Sequence, residues 1–421
     1  MKFRSSILKG LLFISLIALV SVSSIASAKR SVSLKVFPPE YRLTSNGTPV
    51  ATTKVSAFLK RATLPSGENN LVFSSEGYHD LKIKENITAR TSQLEYKLER
   101  KNSMLEQVAV MKTGPHPKSV EFTPDGKYMV SALLEGTGVD LFSVKDFKKV
   151  KTIEFPENYA RRRNFVEIVF LPEKNEMWVS QMAANAVHVI DMKDYTYKLT
   201  IPTKGVWTKV MCFTPDKKTA FASNWESRDL SIIDTEKHEV TGKIKVSGVP
   251  RGMIVTNDGK YLYTCVFENG QMQKIDIEKK RVVKTIKFKG KGAKRHIVMD
   301  REKDIFYITD MYWGTVIIMS AKDDSIIKEI KVDQKLNTCK LTPDKKYLFV
   351  SSRGPNNPET YLKKGPKFGK IYVIDTETLE IVDWVWGKNQ PTGLDVSPDG
   401  KYIAFTNFLD REIEVYRINS K

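Results

Sequence analysis

Arginine, lysine and tryptophan recur at comparable places after position 116, a set suited to gripping acidic groups rather than to breaking bonds. One series comprises His116 and Lys118, Arg161-Arg162-Arg163, Trp207 and Lys209, Arg251, and Lys294-Arg295-His296. A second comprises Trp225 and Arg228, Tyr312-Trp313, Arg353, and Phe408 with Arg411. Arginine offers a fork of donors that fits oxyanions, and tryptophan offers a rigid contact surface. Lys118, Arg251 and Arg295 each stand two residues before the first apolar residue of a β-rich run. A cation that recurs at one structural position aims its charge at one shared place. The binding set expected from these residues is Lys118, Arg161, Arg162, Trp207, Lys209, Trp225, Arg251, Arg295, His296, Trp313 and Arg353. The alternative is structural: each cation pairs with a carboxylate of the neighbouring unit, and Trp225 and Trp313 cover the ends of units.

Signatures of catalysis are missing. The chain has no Gly-x-Ser-x-Gly elbow, no His-Glu-x-x-His, no calcium loop and no phosphate-cradling glycine motif. Its histidines, His79, His116, His188, His238 and His296, are spread one per region without metal-ligand spacing. His116 and His296 could converge as a metal or acid–base pair, though spacing reveals no carboxylate beside them. No cofactor and no metal are expected. Cys212, Cys265 and Cys339 lie inside apolar strand patterns and read as small core residues, with a disulfide or a reactive thiol as the alternative.

The elements that must position these residues come from a repeat. After Gly114 a block of roughly forty residues recurs, the period of a propeller blade with four short strands. Its turn reads Thr123-Pro124-Asp125-Gly126-Lys127-Tyr128 in the first copy and Ser397-Pro398-Asp399-Gly400-Lys401-Tyr402 in the last. Intermediate copies include Thr214-Pro215-Asp216-Lys217, Thr256-Asn257-Asp258-Gly259-Lys260-Tyr261 and Thr342-Pro343-Asp344-Lys345-Lys346-Tyr347. The last copy ends at Tyr416-Arg417-Ile418 after three strands, and 105–111 offers the fourth, which would close a ring of seven blades and remove its open edges. The propeller is therefore expected over 104–421. Blade-to-blade connections and the loops between second and third strands then share one wide face around the channel mouth, where both cationic series belong. The sixth blade carries a long Pro/Gly-punctuated insertion between Val350 and Ile371, expected as a lid over the mouth or as a flexible loop.

From 29 to 101 the repeat is absent, and short alternating runs separated by Asn46-Gly47, Pro65-Ser66-Gly67 and Glu76-Gly77-Tyr78 predict a small sandwich. Its stretch from Leu64 to Tyr78 resembles the bacterial PEGA-type module, an immunoglobulin-like sandwich. The Pro-Asp-Gly-Lys turns and steps such as Tyr372-Val373-Ile374-Asp375-Thr376 resemble the YVTN-type bacterial propeller repeats. The two-domain build also resembles that of spirochaetal (leptospiral) surface antigens. The expected fold is all-β: a seven-bladed β-propeller preceded by an immunoglobulin-like, PEGA-like sandwich. Propellers of this resemblance are mostly exported binding proteins. Related seven-bladed folds include lactonases, so a small-ester hydrolase at the mouth is the alternative, with Glu135, Glu167, Glu226 and Asp310 as carboxylates that could join it.

Residues 1–28 read as a Sec-type signal peptide, with Lys2, Arg4 and Lys9 before an apolar core and Ala26-Ser27-Ala28 at the cleavage site. No lipobox cysteine follows, and no later segment is long and apolar enough to span a membrane. The expected product is an exported monomer of the periplasm, outer membrane or cell surface. Losing the leader takes the formal net charge from +19 to +16. That balance points to acidic partners, first an envelope or host protein, then an acidic polymer or single-stranded nucleic acid. A lysine-rich surface without a specific partner is the plain alternative.

Overall fold

The computed structural model describes residues 28–419, so the expected leader, apart from Ala28, lies outside the described residues. Among them no helix is long and apolar enough to cross a membrane. The chain is nearly all β, and residues from 105 onward form seven four-stranded antiparallel sheets. Six sheets are contiguous in sequence. The seventh joins Pro391–Val396, Tyr402–Asn407 and Glu412–Ile418 to Leu105–Lys112, which pairs with the C-terminal strand from Glu412↔Lys112 to Ile418↔Leu105.

Alternation along each strand sends apolar residues to both faces of a blade, so cores form between blades rather than within them. Phe221, Leu230 and Ile232 of the third blade pack on Met253, Val255 and Leu262 of the fourth. Tyr263 and Met272 of the fourth pack on Ile297, Phe306 and Ile317 of the fifth. The series returns to its start where Ile413 and Val415 of the last blade meet Val120, Phe122 and Phe142 of the first.

The repeated turn has a local cause. Thr123 Oγ1 donates to Asp125 Oδ1 at 2.7 Å and accepts from the Tyr128 amide at 3.1 Å. The same bonds recur at Thr214/Asp216, Thr256/Asp258, Thr342/Asp344 and Ser397/Asp399. Each hydroxyl–carboxylate pair fixes the hairpin that ends an inner strand, and so fixes the strand's length.

The inner strands run side by side around the axis. At two seams they touch backbone to backbone: a Cβ on Gly393 would lie 2.5 Å from Ser119 Cα, and one on Gly252 would lie 2.9 Å from His296 Cα. Only glycine leaves room there.

Residues 29–97 fold as two packed four-stranded sheets around Val32, Leu34, Leu64, Leu71 and Phe73. This sandwich docks on the last two blades. Phe37 packs at a tilt against Phe368 and Trp386, ring centroids 4.8 Å apart in each pair. The buried Lys97 Nζ donates to Trp386 O at 2.7 Å and to Glu414 Oε2 at 2.5 Å. Asp383 gathers Arg100 Nη1 at 2.6 Å, Ser103 Oγ at 2.8 Å and the Met104 amide at 2.7 Å, which ties the connecting segment to the sixth blade.

Gly393→Ala is expected to lower unfolding free energy by about 1–3 kcal/mol through overpacking. Gly242→Ala, whose Cβ would meet only Ile232 Cδ1 at 3.4 Å, is expected to stay within ~0.5 kcal/mol of the parent. Urea denaturation of the two variants checks the contrast.

Candidate functional site: a cationic recess at the channel mouth

Each inner strand from the second blade to the seventh loses register near its start, between Phe165 and Ile168, Thr208 and Met211, Pro250 and Met253, Lys294 and His296, Leu336 and Cys339, and Pro391 and Leu394. A bulge re-aims the side chains inside it. The second residue of the strand falls in this bulge, and in three blades it is a cation: Lys209, Arg251 and Arg295. Lys118 holds the same place in the first blade, beside the Pro117↔Leu133 bridge. Arg353 joins them from the sixth blade, just beyond the strand Tyr347–Ser352.

These charges crowd one another. Burial, followed by Arg353, Arg295 and Arg251, pushes the Lys118 ammonium well below its ordinary value. Burial, Arg251, Lys118 and Arg295 do the same to Lys209. Arg251 and Arg295 are only 6% and 3% exposed. Burial pulls both guanidinium pKa values down, and Arg295 adds to the effect on Arg251. A guanidinium nevertheless stays charged near neutral pH, so the cost appears as repulsion rather than as proton loss.

Glu167 is the carboxylate that faces the cluster, one position further along the bulge of the second blade. Burial raises its pKa, opposed by Arg295, Arg251, Lys118 and Lys209. Among the described residues no ion pair joins Lys118, Lys209, Arg251, Arg295 or Arg353 to a carboxylate within 4.0 Å. Arg251 Nε and Nη1, Arg295 Nε and Arg353 Nε are buried donors without a hydrogen-bond partner. The structural alternative, pairing with a neighbouring blade, is met instead by Lys340, which reaches Asp395 of the seventh blade at 2.7 Å, while Lys294 pairs within its own blade with Asp310 at 2.5 Å.

Aromatic faces hold the cations in place. Trp225 carries Lys209 Nζ at 2.9 Å and the Arg251 guanidinium at 4.4 Å, and Phe267 lies 5.2 Å from that guanidinium. Phe408 carries Lys118 Nζ at 5.0 Å. Arg353 lies 5.7 Å from the Tyr361 ring and donates to Gln390 Oε1. Such contacts offset part of the desolvation cost of a buried cation.

The other expected residues stand elsewhere. Trp207 (42% exposed) and Trp313 (46% exposed) belong to the rim, Trp207 in edge contact with Trp225 at 6.1 Å. Arg161 and Arg162 follow the short helix Glu157–Ala160 and are exposed, with Arg161 paired to Glu157. His296 sits beneath Arg295, its Nδ1 3.6 Å from Cys339 Sγ, and burial followed by Arg295 pushes its pKa down to about 3. It lines a separate cavity of about 370 Å³ with Glu121, Arg301 and Lys340. His116 stacks on Phe408 at 4.7 Å. Among the described residues no group of three His, Cys, Asp or Glu side chains could hold a metal ion. Of the four candidate carboxylates only Glu167 faces the recess: Asp310 pairs with Lys294, Glu135 with Arg163, and Glu226 is exposed. The three cysteines are free, and burial pushes the Cys212 and Cys265 thiols up to about 12.

The long insertion is neither a free lid nor a loose loop. Its far part is strapped to the sandwich: Lys35 Nζ donates to Gly365 O at 2.7 Å, Lys364 pairs with Glu95 at 2.8 Å, and Phe368 packs on Phe37. Its near part keeps Arg353 and Tyr361 at the mouth. Lys209 holds the repeated position too, but Val210, directly after it, is apolar and disguises the register in the sequence. Alignment on Met211, two residues after Lys209, reveals it.

Comparison with known proteins follows the same lines. Residues 253–421 match the model of the family described as Lactonase, 7-bladed beta-propeller. The chain is 41% identical over 318 residues to Antigen Lp49 of Leptospira interrogans (serogroup Icterohaemorrhagiae, serovar copenhageni, strain Fiocruz L1-130), spanning 74% of this chain and 69% of the relative. The chain belongs to the antigen Lp49 family. A chain of Kuenenia stuttgartiensis Hydrazine Synthase superposes with a TM-score of 0.61 at 20% identity, covering 73% of this chain and 97% of that one, and shares the fold alone.

The cationic recess of this Lp49-family chain has a pH signature. Folding depresses the lysine pKa values, so the unfolded chain binds more protons until the pH passes the ordinary value of 10.5, and stability rises with pH across that window. Lys118→Met is therefore expected to raise the thermal midpoint at pH 7. Its advantage over the parent should shrink as the pH approaches 10, which thermal scans across pH measure.

Proposed function

We propose that this chain is a binding protein that works outside the cytoplasmic membrane and docks an acidic macromolecular partner, first of all a protein, on the mouth face of its propeller. One observation carries the reading: buried guanidinium N–H groups of Arg251, Arg295 and Arg353 lack partners while they crowd other cations, with Glu167 facing Arg251 and Arg295. Buried donors left unpaired are costly, and an incoming anion would satisfy them. Trp207, Tyr312 and Trp313, exposed around the recess, supply the rigid contact area that a protein interface needs. Kinship with a leptospiral antigen and the leader pattern support an exterior location. Nucleic acid is disfavoured within the recess, because the Trp225 and Phe408 rings already carry cations and are not free to stack on bases.

A second reading is hydrolysis of a small ester or lactone. The match of 253–421 to a lactonase propeller supports it, as does Glu167, a carboxylate with a raised pKa among arginines. On that reading Glu167→Gln abolishes turnover of a lactone panel.

Pull-down from envelope and host-matrix extracts separates the readings. Docking predicts a partner retained at low salt, released as salt rises, and lost from an Arg251→Ala, Arg295→Ala variant. Retention unchanged in that variant would place any binding surface away from the recess.

A further inference from the structure

We infer that the recess itself seats a compact oxyanion carrying at least two negative charges, gripped between the guanidinium groups of Arg251, Arg295 and Arg353. This inference rests on the anion-docking reading of the mouth and narrows it to the chemistry of the group that enters.

Depth comes first. Arg251 and Arg295 are 6% and 3% exposed, so a flat protein surface resting on the rim does not reach them and a small or protruding group does. Direction comes second. The three guanidiniums come from three successive blades, the fourth, fifth and sixth. They therefore approach a common centre from different sides rather than as one planar fork. A planar monocarboxylate fills one fork, whereas a tetrahedral or branched anion offers acceptors to several.

Charge comes third. Lys118, Lys209, Arg251 and Arg295 face Glu167, Arg353 stands beside Arg295, and a single negative charge leaves most of their mutual repulsion in place. A multivalent anion removes more of it. The aromatic rings add a fourth restriction, because Trp225 and Phe408 are covered by the cations they carry. These rings thus present cations, rather than open apolar faces, to an incoming ligand.

The grip is held in shape from one side. Arg353 donates to Gln390 Oε1, and Gln390 Nε2 donates to Tyr361 O at 2.7 Å. Tyr361 belongs to the strap whose other end is fixed to the sandwich through Lys35 and Phe37. Arg353 is thereby positioned before any ligand arrives, which lowers the entropic cost of binding.

Calorimetric titration of the full chain at low ionic strength tests the inference, with orthophosphate, citrate, acetate and poly-L-glutamate as probes. Orthophosphate or citrate should bind at one site at least about tenfold more tightly than acetate, and their order tells a tetrahedral from a polycarboxylate preference. Arg295→Gln should weaken that binding by roughly thirtyfold or more, the scale of losing a buried charge-assisted contact. Lys118→Met, which keeps all three guanidiniums, should weaken it less, and Lys127→Ala on the opposite face should leave it unchanged. Acetate bound as tightly as the multivalent ions, or full affinity in folded Arg295→Gln, would overturn the inference. Poly-L-glutamate bound without either small ion would overturn it while leaving the docking reading intact. Binding of none of the four would overturn both.

Discussion

Closing seven inner strands around one axis turns a modest sequence preference into a concentrated charge. A cation at the second position of one blade would be an ordinary half-buried residue. The same choice in four blades, with Arg353 added, brings five basic side chains to one mouth and sets four of them against Glu167. Nothing in a single blade reveals the conflict, because it exists only when the ring is closed. That crowding is the constraint from which the features of the mouth face follow.

A cluster of this kind persists only if the surrounding fold over-determines it. The cores between consecutive blades, from the third with the fourth round to the last with the first, fix where each inner strand lies. Bulges at the same point of successive strands turn the second residue into the mouth. Trp225, Phe267 and Phe408 then supply the attraction that carboxylates do not. The strap adds a link to the sandwich, so the surroundings of Arg353 depend on a domain that lies far away in sequence. Stability sacrificed at a recess and recovered in the scaffold is the usual arrangement of a binding site.

The propeller was legible in the sequence because its signal is local and repeated. The Thr-Pro-Asp-Gly-Lys turn states its own hydrogen bonds, and a strand pattern seen seven times is hard to misread. The recess was legible only in part. Arg251 and Arg295 announce themselves by register, but Lys209 is disguised by Val210, an apolar residue directly after it where the other copies have none. Glu167 was one carboxylate among four, and only the ring shows that it alone of them faces the cations. Arg161, Arg162, Trp207 and Trp313 share the face but not the recess, a difference of depth that spacing cannot express. The strap was least legible of all. Its anchor, Lys35 to Gly365, joins residues 330 positions apart, and no local pattern encodes a contact between two separately folded units.

The recess holds more positive charge than Glu167 compensates. This excess is tested most directly by the unfolding free energy of Arg295→Gln, measured in urea with a buffer free of multivalent anions. Glutamine keeps much of the side-chain volume and removes one charge from the cluster. The account predicts a variant more stable than the parent, by about 1 kcal/mol or more, because burying an unpaired charge costs more than its few contacts return. A variant less stable by a similar amount would mean that Arg295 is a paired structural residue, and would contradict the account.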